Sequence, residues 1–166
     1  AVCIWKSMQL AGLRNCPTCR TPFDKADLIG IIKQLPEDIV NKPNTEGNTA
    51  LIVAVDDGEL DLVKALLKHE RININFQDTS GNTALDGISA LMLADSHGRL
   101  DIVKELLKHP LINVNLQEED GVTALISAAS HGRLEIVKEL LKHPRIDVNL
   151  QDEDGDTALI IAVTKG

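Results

Sequence analysis

The sequence predicts an all-α solenoid, a stack of short helix pairs joined by extended, turn-rich fingers. Three observations carry this. A segment of 34 residues recurs along the chain, and each copy holds two short helices with apolar periodicity. The core must also be built from Leu, Ile, Val and Ala, because aromatic residues make up only 2% of the sequence. Neither helix of such a pair buries its apolar face alone, so stacked neighbours must complete the core.

The stretch "EEDGVTALISAASHGRLEIVKELLKHPRIDVNLQ" (118–151) returns upstream as "NTEGNTALIVAVDDGELDLVKALLKHERININFQ" (44–77), and its first half returns as "DEDGDTALIIAVTKG" (152–166). Gly47, Gly81, Gly121 and Gly155 mark the register and step by 34, 40 and 34 residues. The middle copy (78–117) therefore carries six extra residues. Counting back from the shared "HGRL" selects Ser89-Ala90-Leu91 as its first-helix start and puts the insertion in the loop before it. The competing reading lengthens the helix itself, since "NTALDGISALMLADSHG" is rich in Ala and Leu.

Within one copy, the Thr123 hydroxyl caps a helix over "ALISAASHG" and Gly132 ends it in a left-handed conformation. A second helix through "LEIVKELLKH" places Leu134, Ile136, Val137, Leu140 and Leu141 on its apolar side, and "PRIDVNLQDEDG" follows as an extended finger. Upstream, "DLIGIIKQLPEDIVNKPNTEG" (27–47) aligns with "EIVKELLKHPRIDVNLQDEDG" (135–155), matching Pro36 to Pro144 and Val40-Asn41 to Val148-Asn149. Residues 24–43 thus read as a half repeat, one helix and a finger strand. The organisation is three full repeats, 44–77, 78–117 and 118–151, flanked by partial ones at 24–43 and 152–166. The last helix lacks its companion within the sequence, which predicts an exposed apolar face or fraying there, and a longer parent protein.

Charge and composition exclude several functions. A net charge of −8 argues against a nucleic-acid surface, no apolar run approaches a membrane span, and no signal segment is visible. Cys3, Cys16 and Cys19 are an odd number confined to the first 19 residues, unlike a secreted disulfide framework. An intracellular, cytoplasmic protein is expected. His97 and His131 are equivalent positions one repeat apart, as are His69, His109 and His143. Such positions lie about 10 Å apart in a helix stack, too far to share an ion with ligand bonds of ~2.0–2.1 Å. His69, His109 and His143 instead stand where second-helix carbonyls end unpaired.

The finger tips carry Glu46, Glu118, Glu119, Asp120, Asp152, Glu153, Asp154 and Asp156, with no nucleophile, paired base or phosphate loop beside them. General acid–base catalysis is not the expectation. Residues 26–166 hold 13 basic against 24 acidic residues, net −11, whereas 1–25 hold 4 against 1, net +3. That acidity suits a protein partner with a basic patch, or serves solubility alone. Asp95 stands where the other copies carry Val55, Ala129 and Val163. It either reaches solvent or is buried at a cost that a hydrogen bond must offset.

The pattern D-x-x-G-x-T-A-L, then A-x-x-G-x-L-x-I-V-K-x-L-L-K, then V-N resembles the ankyrin repeat over about 120 residues. The family's usual Pro and His in its T-P-L-H turn are Ala124 and Ile126 here, and the "HPRIDVN" segment is one residue longer than the commonest form. The resemblance implies an ankyrin-repeat solenoid that binds a protein partner on the concave face of finger tips and first helices. Carried over position by position, the contact residues are Thr45, Glu46, Asn48, Asp56 and Asp57, then Ile88, Ser96 and His97, then Glu119, Asp120, Val122, Ser130 and His131. The Ile-Asp/Asn-Val-Asn spacing also resembles repeats that intracellular bacteria deliver into hosts, a second expectation for localisation.

Upstream of the repeats, "NCPTCRTPF" (15–23) is similar to the C-P-x-C of glutaredoxins but lacks a βαβ context. "CIWKSMQLAGLRNCPTCR" (3–20) resembles the C-terminal half of a RING finger, so residues 1–23 are expected to form a partial, RING-like segment with 4–14 helical. The resemblance makes Cys3 the sixth zinc ligand and Cys16 and Cys19 the last two, though Trp5 stands two positions after the sixth ligand rather than about four. It places Ile4, Trp5 and Pro17 where a ubiquitin-conjugating enzyme docks, and Arg20 where the family's arginine bonds that enzyme and ubiquitin. Cross-bracing assigns Cys3 and the Cys16–Cys19 pair to different ions, and a closed zinc site takes four ligands. No zinc or other cofactor is therefore expected on this chain, with zinc reserved for an intact parent finger. Two functions follow: the substrate-recognition part of a RING-type ubiquitin ligase, or an ankyrin binding module with a degenerate finger and no ligase role. Neither gives this chain an autonomous catalytic site.

Overall fold

The structure, a computed structural model, describes residues 32–33, 35–44, 46–77 and 88–165. The chain forms two compact units that divide between Asn73 and Ile74. The first contains α1 (Glu37–Val40), α2 (Ala50–Asp56) and α3 (Leu60–Leu67). The second contains α4 (Ala90–Ser96), α5 (Leu100–Leu107), α6 (Ala124–Ser130), α7 (Leu134–Leu141) and α8 (Ala158–Lys165). Among the described residues there is no strand, only the isolated bridges Gln77–Ser89 and Gln151–Thr157.

The first helix of each pair starts the same way. The hydroxyls of Thr49, Ser89, Thr123 and Thr157 accept the backbone N–H of Ile52, Met92, Ile126 and Ile160 at 3.2–3.4 Å. Each satisfies one of the amides that a helix N-terminus leaves without an intrahelical partner. Ser89 thus starts α4, as the "HGRL" register requires. The loop upstream that holds the six extra residues falls within 78–87, outside the described residues. Gly98 and Gly132 turn each first helix into its partner at φ +66° and +65°.

In the second unit α6 packs between α4 and α8, while α5 packs on α7. Leu91, Ile102, Leu106, Leu125, Ile126, Ala128, Ile136 and Leu140 fill the space between the helices. Burial ends at the last repeat. Leu125 is 4% exposed, whereas its counterpart Leu159 is 72% exposed, and Val163 is 75% exposed. The expected apolar face is therefore present, flanking a cavity of about 950 Å³ bounded by α6, α7 and α8.

Two expectations need correction. The half repeat 24–43 is expected to hold one helix and then a finger strand, but after Pro36 the chain makes one helical turn, Glu37–Val40. Pro36 stands at its N-cap with ψ 153°, its carbonyl accepts from Ile39 and Val40, and Glu37 and Asp38 place negative charge in the first turn. The helix expected before it, the segment 4–14 and the whole of 1–23 lie outside the described residues.

The second correction concerns the histidines. Nδ1 of His69, His109 and His143 accepts the backbone N–H of Arg71, Leu111 and Arg145, each at 3.3 Å. In His109 and His143 the ring thus closes a turn as an acceptor rather than meeting a carbonyl. His69 does both. With Nδ1 accepting, its proton sits on Nε2, which donates to the Leu35 carbonyl at 2.8 Å.

Candidate functional site

The first helices and turns of the second unit enclose an open groove of about 300 Å³. Its apolar lining comes from Ile88 before α4, Met92 on α4, Val122 before α6, Ile126 on α6 and Ile161 on α8. Ser96, Ser127, Ser130 and His131 add polar atoms, and Glu118 and Asp152 supply carboxylates from the finger turns. His131 Nδ1 lies 2.8 Å from the Ser127 carbonyl. A carbonyl only accepts, so that nitrogen carries the proton.

Of the sequence-predicted contact residues, Ile88, Ser96, Val122, Ser130 and His131 line this groove together. His97, Glu119 and Asp120 are exposed in the same unit but do not line it. Glu46, Asn48, Asp56 and Asp57 belong to the first unit, where Glu46, Asp56 and Asp57 are exposed. The Asn44 side chain holds the turn there, Oδ1 accepting the N–H of both Glu46 and Asn48 at 2.9 Å. Thr45, Cys3, Ile4, Trp5, Cys16, Pro17, Cys19 and Arg20 lie outside the described residues.

Asp95, left open between two environments, is fully buried. Its carboxylate accepts a hydrogen bond from Ser127 Oγ on α6, and Oδ1 faces Arg133 Nη1 at 3.7 Å. Burial pushes its pKa up, and the Ser127 hydroxyl, Arg133 and His131 oppose that rise. Arg133 also donates from Nη2 to the Ser96 carbonyl at 2.6 Å. This cluster anchors the wall of the groove.

Glu118 is the groove's unusual carboxylate. Equivalent turn positions carry Asn44, which holds its own turn, and Asp152, whose Oδ1 accepts the Asp156 N–H at 2.8 Å. Glu118 is one methylene longer than Asp, and among the described residues its carboxylate makes no such local bond. Burial, then the neighbouring Asp120 charge, raises its pKa.

Sequence reasoning missed the residues that join successive repeats. In the first unit Asn41 Nδ2 donates to the Arg71 carbonyl while Oδ1 accepts the Asn73 N–H, both at 2.7 Å. In the second unit Asn75 does the same with Leu111 and Asn113, and Asn115 with Arg145 and Asp147. Gln77 donates to the Gln117 carbonyl, and Gln117 to that of Gln151. The available signal is the recurrence of Asn at positions 41, 75, 115 and 149 and of Gln two residues later in the three full repeats.

Among the described residues no three His, Cys, Asp or Glu side chains are placed to hold a metal ion, and no helix is long and apolar enough to cross a membrane. The family model "Ankyrin repeats (3 copies)" matches residues 25–109 and 91–166. The chain belongs to the ankyrin-repeat family, and its fold is the family's all-helical solenoid. It is similar to the crystal structure of EF0377, an ankyrin repeat protein, at 29% identity and a TM-score of 0.74, covering 99% of this chain and 72% of that one. No curated protein matches it by sequence. Membership of this family makes it a protein–protein interaction module.

Proposed function

We propose that the chain recognises its protein partner through the second unit's groove, between the first helices α4, α6 and α8. The carrying observation is the mixed lining: Val122 is only half-buried beside Ile88, Met92 and Ile161, with the Ser130 hydroxyl and His131 imidazole at the edge. Mixed apolar and polar surface of this kind suits a protein interface with a dry centre and a polar rim. The net −11 of residues 26–166 favours a partner with a basic patch, and the cytoplasm is the proposed compartment. Val122→Trp and Ser130→Trp, which fill the groove, should each abolish capture of the partner by the full chain while leaving its melting temperature in place. Capture that survives both, and is lost on neutralising Asp56 and Asp57, would move the site to the first unit.

A second reading rests on the "CPTCR" motif beside the repeats: the chain is the substrate-recognition part of a RING-type ubiquitin ligase. In that reading Ile4, Trp5, Pro17 and Arg20 serve the conjugating enzyme in a parent whose finger is complete. A C-x-x-C and a C-x-H-x-x-C upstream of Ala1 in the full reading frame would support it. Their absence, with no zinc-dependent auto-ubiquitination by the full-length protein, would leave the simple binding module.

A further inference from the structure

The groove has an apolar lining and an acidic edge, and the two make different demands on an occupant. Val122, before α6, and Ile161, on α8, are half-buried and offer carbon surface, with the buried Met92 and Ile126 forming the floor behind them. At the finger side stand Glu118 and Asp152, equivalent positions of successive repeats. Asp152 is tied to its own turn through Asp156. Glu118 has no ion-pair partner among the described residues, is half-buried, and has Asp120 as its charged neighbour. A carboxylate set beside apolar surface and a like charge gains when a cation arrives, because its desolvation has already been incurred.

We propose that this groove takes a segment of the partner in which an aliphatic or aromatic side chain is flanked by lysine or arginine. The apolar side chain rests on Val122 and Ile161, over the floor that Met92 and Ile126 make, and the cation sits against Glu118 and Asp152. This rests on the groove being the partner site, and it adds the chemistry of the segment recognised. The acidic surplus of residues 26–166 works in the same direction, drawing a basic segment in and repelling an acidic one.

A displayed random-peptide library selected on the full chain tests this. Enriched peptides should share an apolar residue next to Lys or Arg. Their affinity should fall about fivefold in Glu118→Gln, and similarly in Asp152→Asn. It should also weaken as NaCl rises, and a Lys→Gln peptide should be insensitive to Glu118→Gln. Enrichment of peptides without a cation, affinities unchanged in both carboxylate variants, or no enrichment over an unrelated bait would overturn the proposal. If cation-free peptides are enriched and Val122→Trp blocks them, the groove remains the site and only this assignment of its ligand fails. Peptides that bind equally well to Val122→Trp and Ser130→Trp would sink the site itself.

Discussion

Asp95 on α4 faces Arg133, at the start of α7, across 3.7 Å, and the pair ties one repeat to the next inside the second unit. Asp95 has no exposed surface and Arg133 little, while Ser127 donates to the same carboxylate. Removing the acid leaves a half-buried guanidinium and a hydroxyl to find other partners. Asp95→Ala should therefore cost about 1–3 kcal/mol, read from urea unfolding. Asp95→Val with Arg133→Leu should be more stable than Asp95→Val alone, since apolar pairs replace buried ion pairs well. A double variant no better than the sum of its singles would remove the coupling.

Stability should vary with pH in two opposed ways. Burial lowers the pKa of His109, and burial with Arg145 lowers that of His143, from an ordinary 6.5. The unfolded chain then binds the proton first, so this contribution is whole above pH 6.5 and disappears as pH falls through the folded values. Asp95 runs the other way. Its raised pKa gives stability that is whole below 3.8 and is lost as pH rises through the folded value. Melting curves between pH 4 and 8 should lose the histidine slope in the double variant His109→Asn, His143→Asn, which keeps an acceptor but does not titrate. Asp95→Asn should lessen the decline on the carboxylate side. Unaltered slopes in these variants would refute both assignments.

The Asn rungs predict a cost without any loss of apolar burial. Asn115→Ala removes two hydrogen bonds to the next repeat, at 2.8 Å to the Arg145 carbonyl and 2.9 Å from the Asp147 N–H. At about 0.5–1.5 kcal/mol for each bond, a loss of about 1–3 kcal/mol is expected. Asn115→Asp keeps the acceptor but turns a carboxylate toward a carbonyl, and should be no milder. A midpoint for Asn115→Ala within error of the parent would show that water replaces the rung.

Two glycines separate backbone strain from collision. Gly132 has φ +65° with nothing within 4 Å of a Cβ, so Gly132→Ala should cost only the left-handed penalty, about 1–2 kcal/mol. Gly121 has φ +77°, and a Cβ there would stand 3.0 Å from the Asp152 Cα. The next finger passes against it, with Glu153 N–H donating to the Asp120 carbonyl at 2.9 Å. Gly121→Ala should cost measurably more than Gly132→Ala in thermal unfolding; equal losses would mean that the finger simply moves aside.

The repeat made much of this fold readable. Thr123 and Gly132 announce a cap and a turn through local chemistry that needs no knowledge of neighbours, and Asp95 stands out because its counterparts are Val55, Ala129 and Val163. What it does there was hidden, because Ser127 and Arg133 arrive from the following repeat. His109 and His143 depart from their expected role for a related reason. Position relative to a helix end suggested carbonyl contacts, but the choice between donor and acceptor is made by which backbone group the turn brings to Nδ1. Glu118 was one carboxylate among eight at the finger tips, and only the side-chain bond made by Asp152 reveals that its extra methylene leaves it outside the turn.

The Asn side chains have a consequence for geometry as well as strength. Each one grips a carbonyl and an N–H two residues apart on the neighbouring loop, as Asn115 does with Arg145 and Asp147. Within each unit a short amide side chain thereby helps to gauge the step between neighbouring loops. In the second unit a longer Gln or shorter Ser at Asn115 would shift the 145–147 loop, so the spacing of what α4 and α6 present is adjustable from a residue outside the groove.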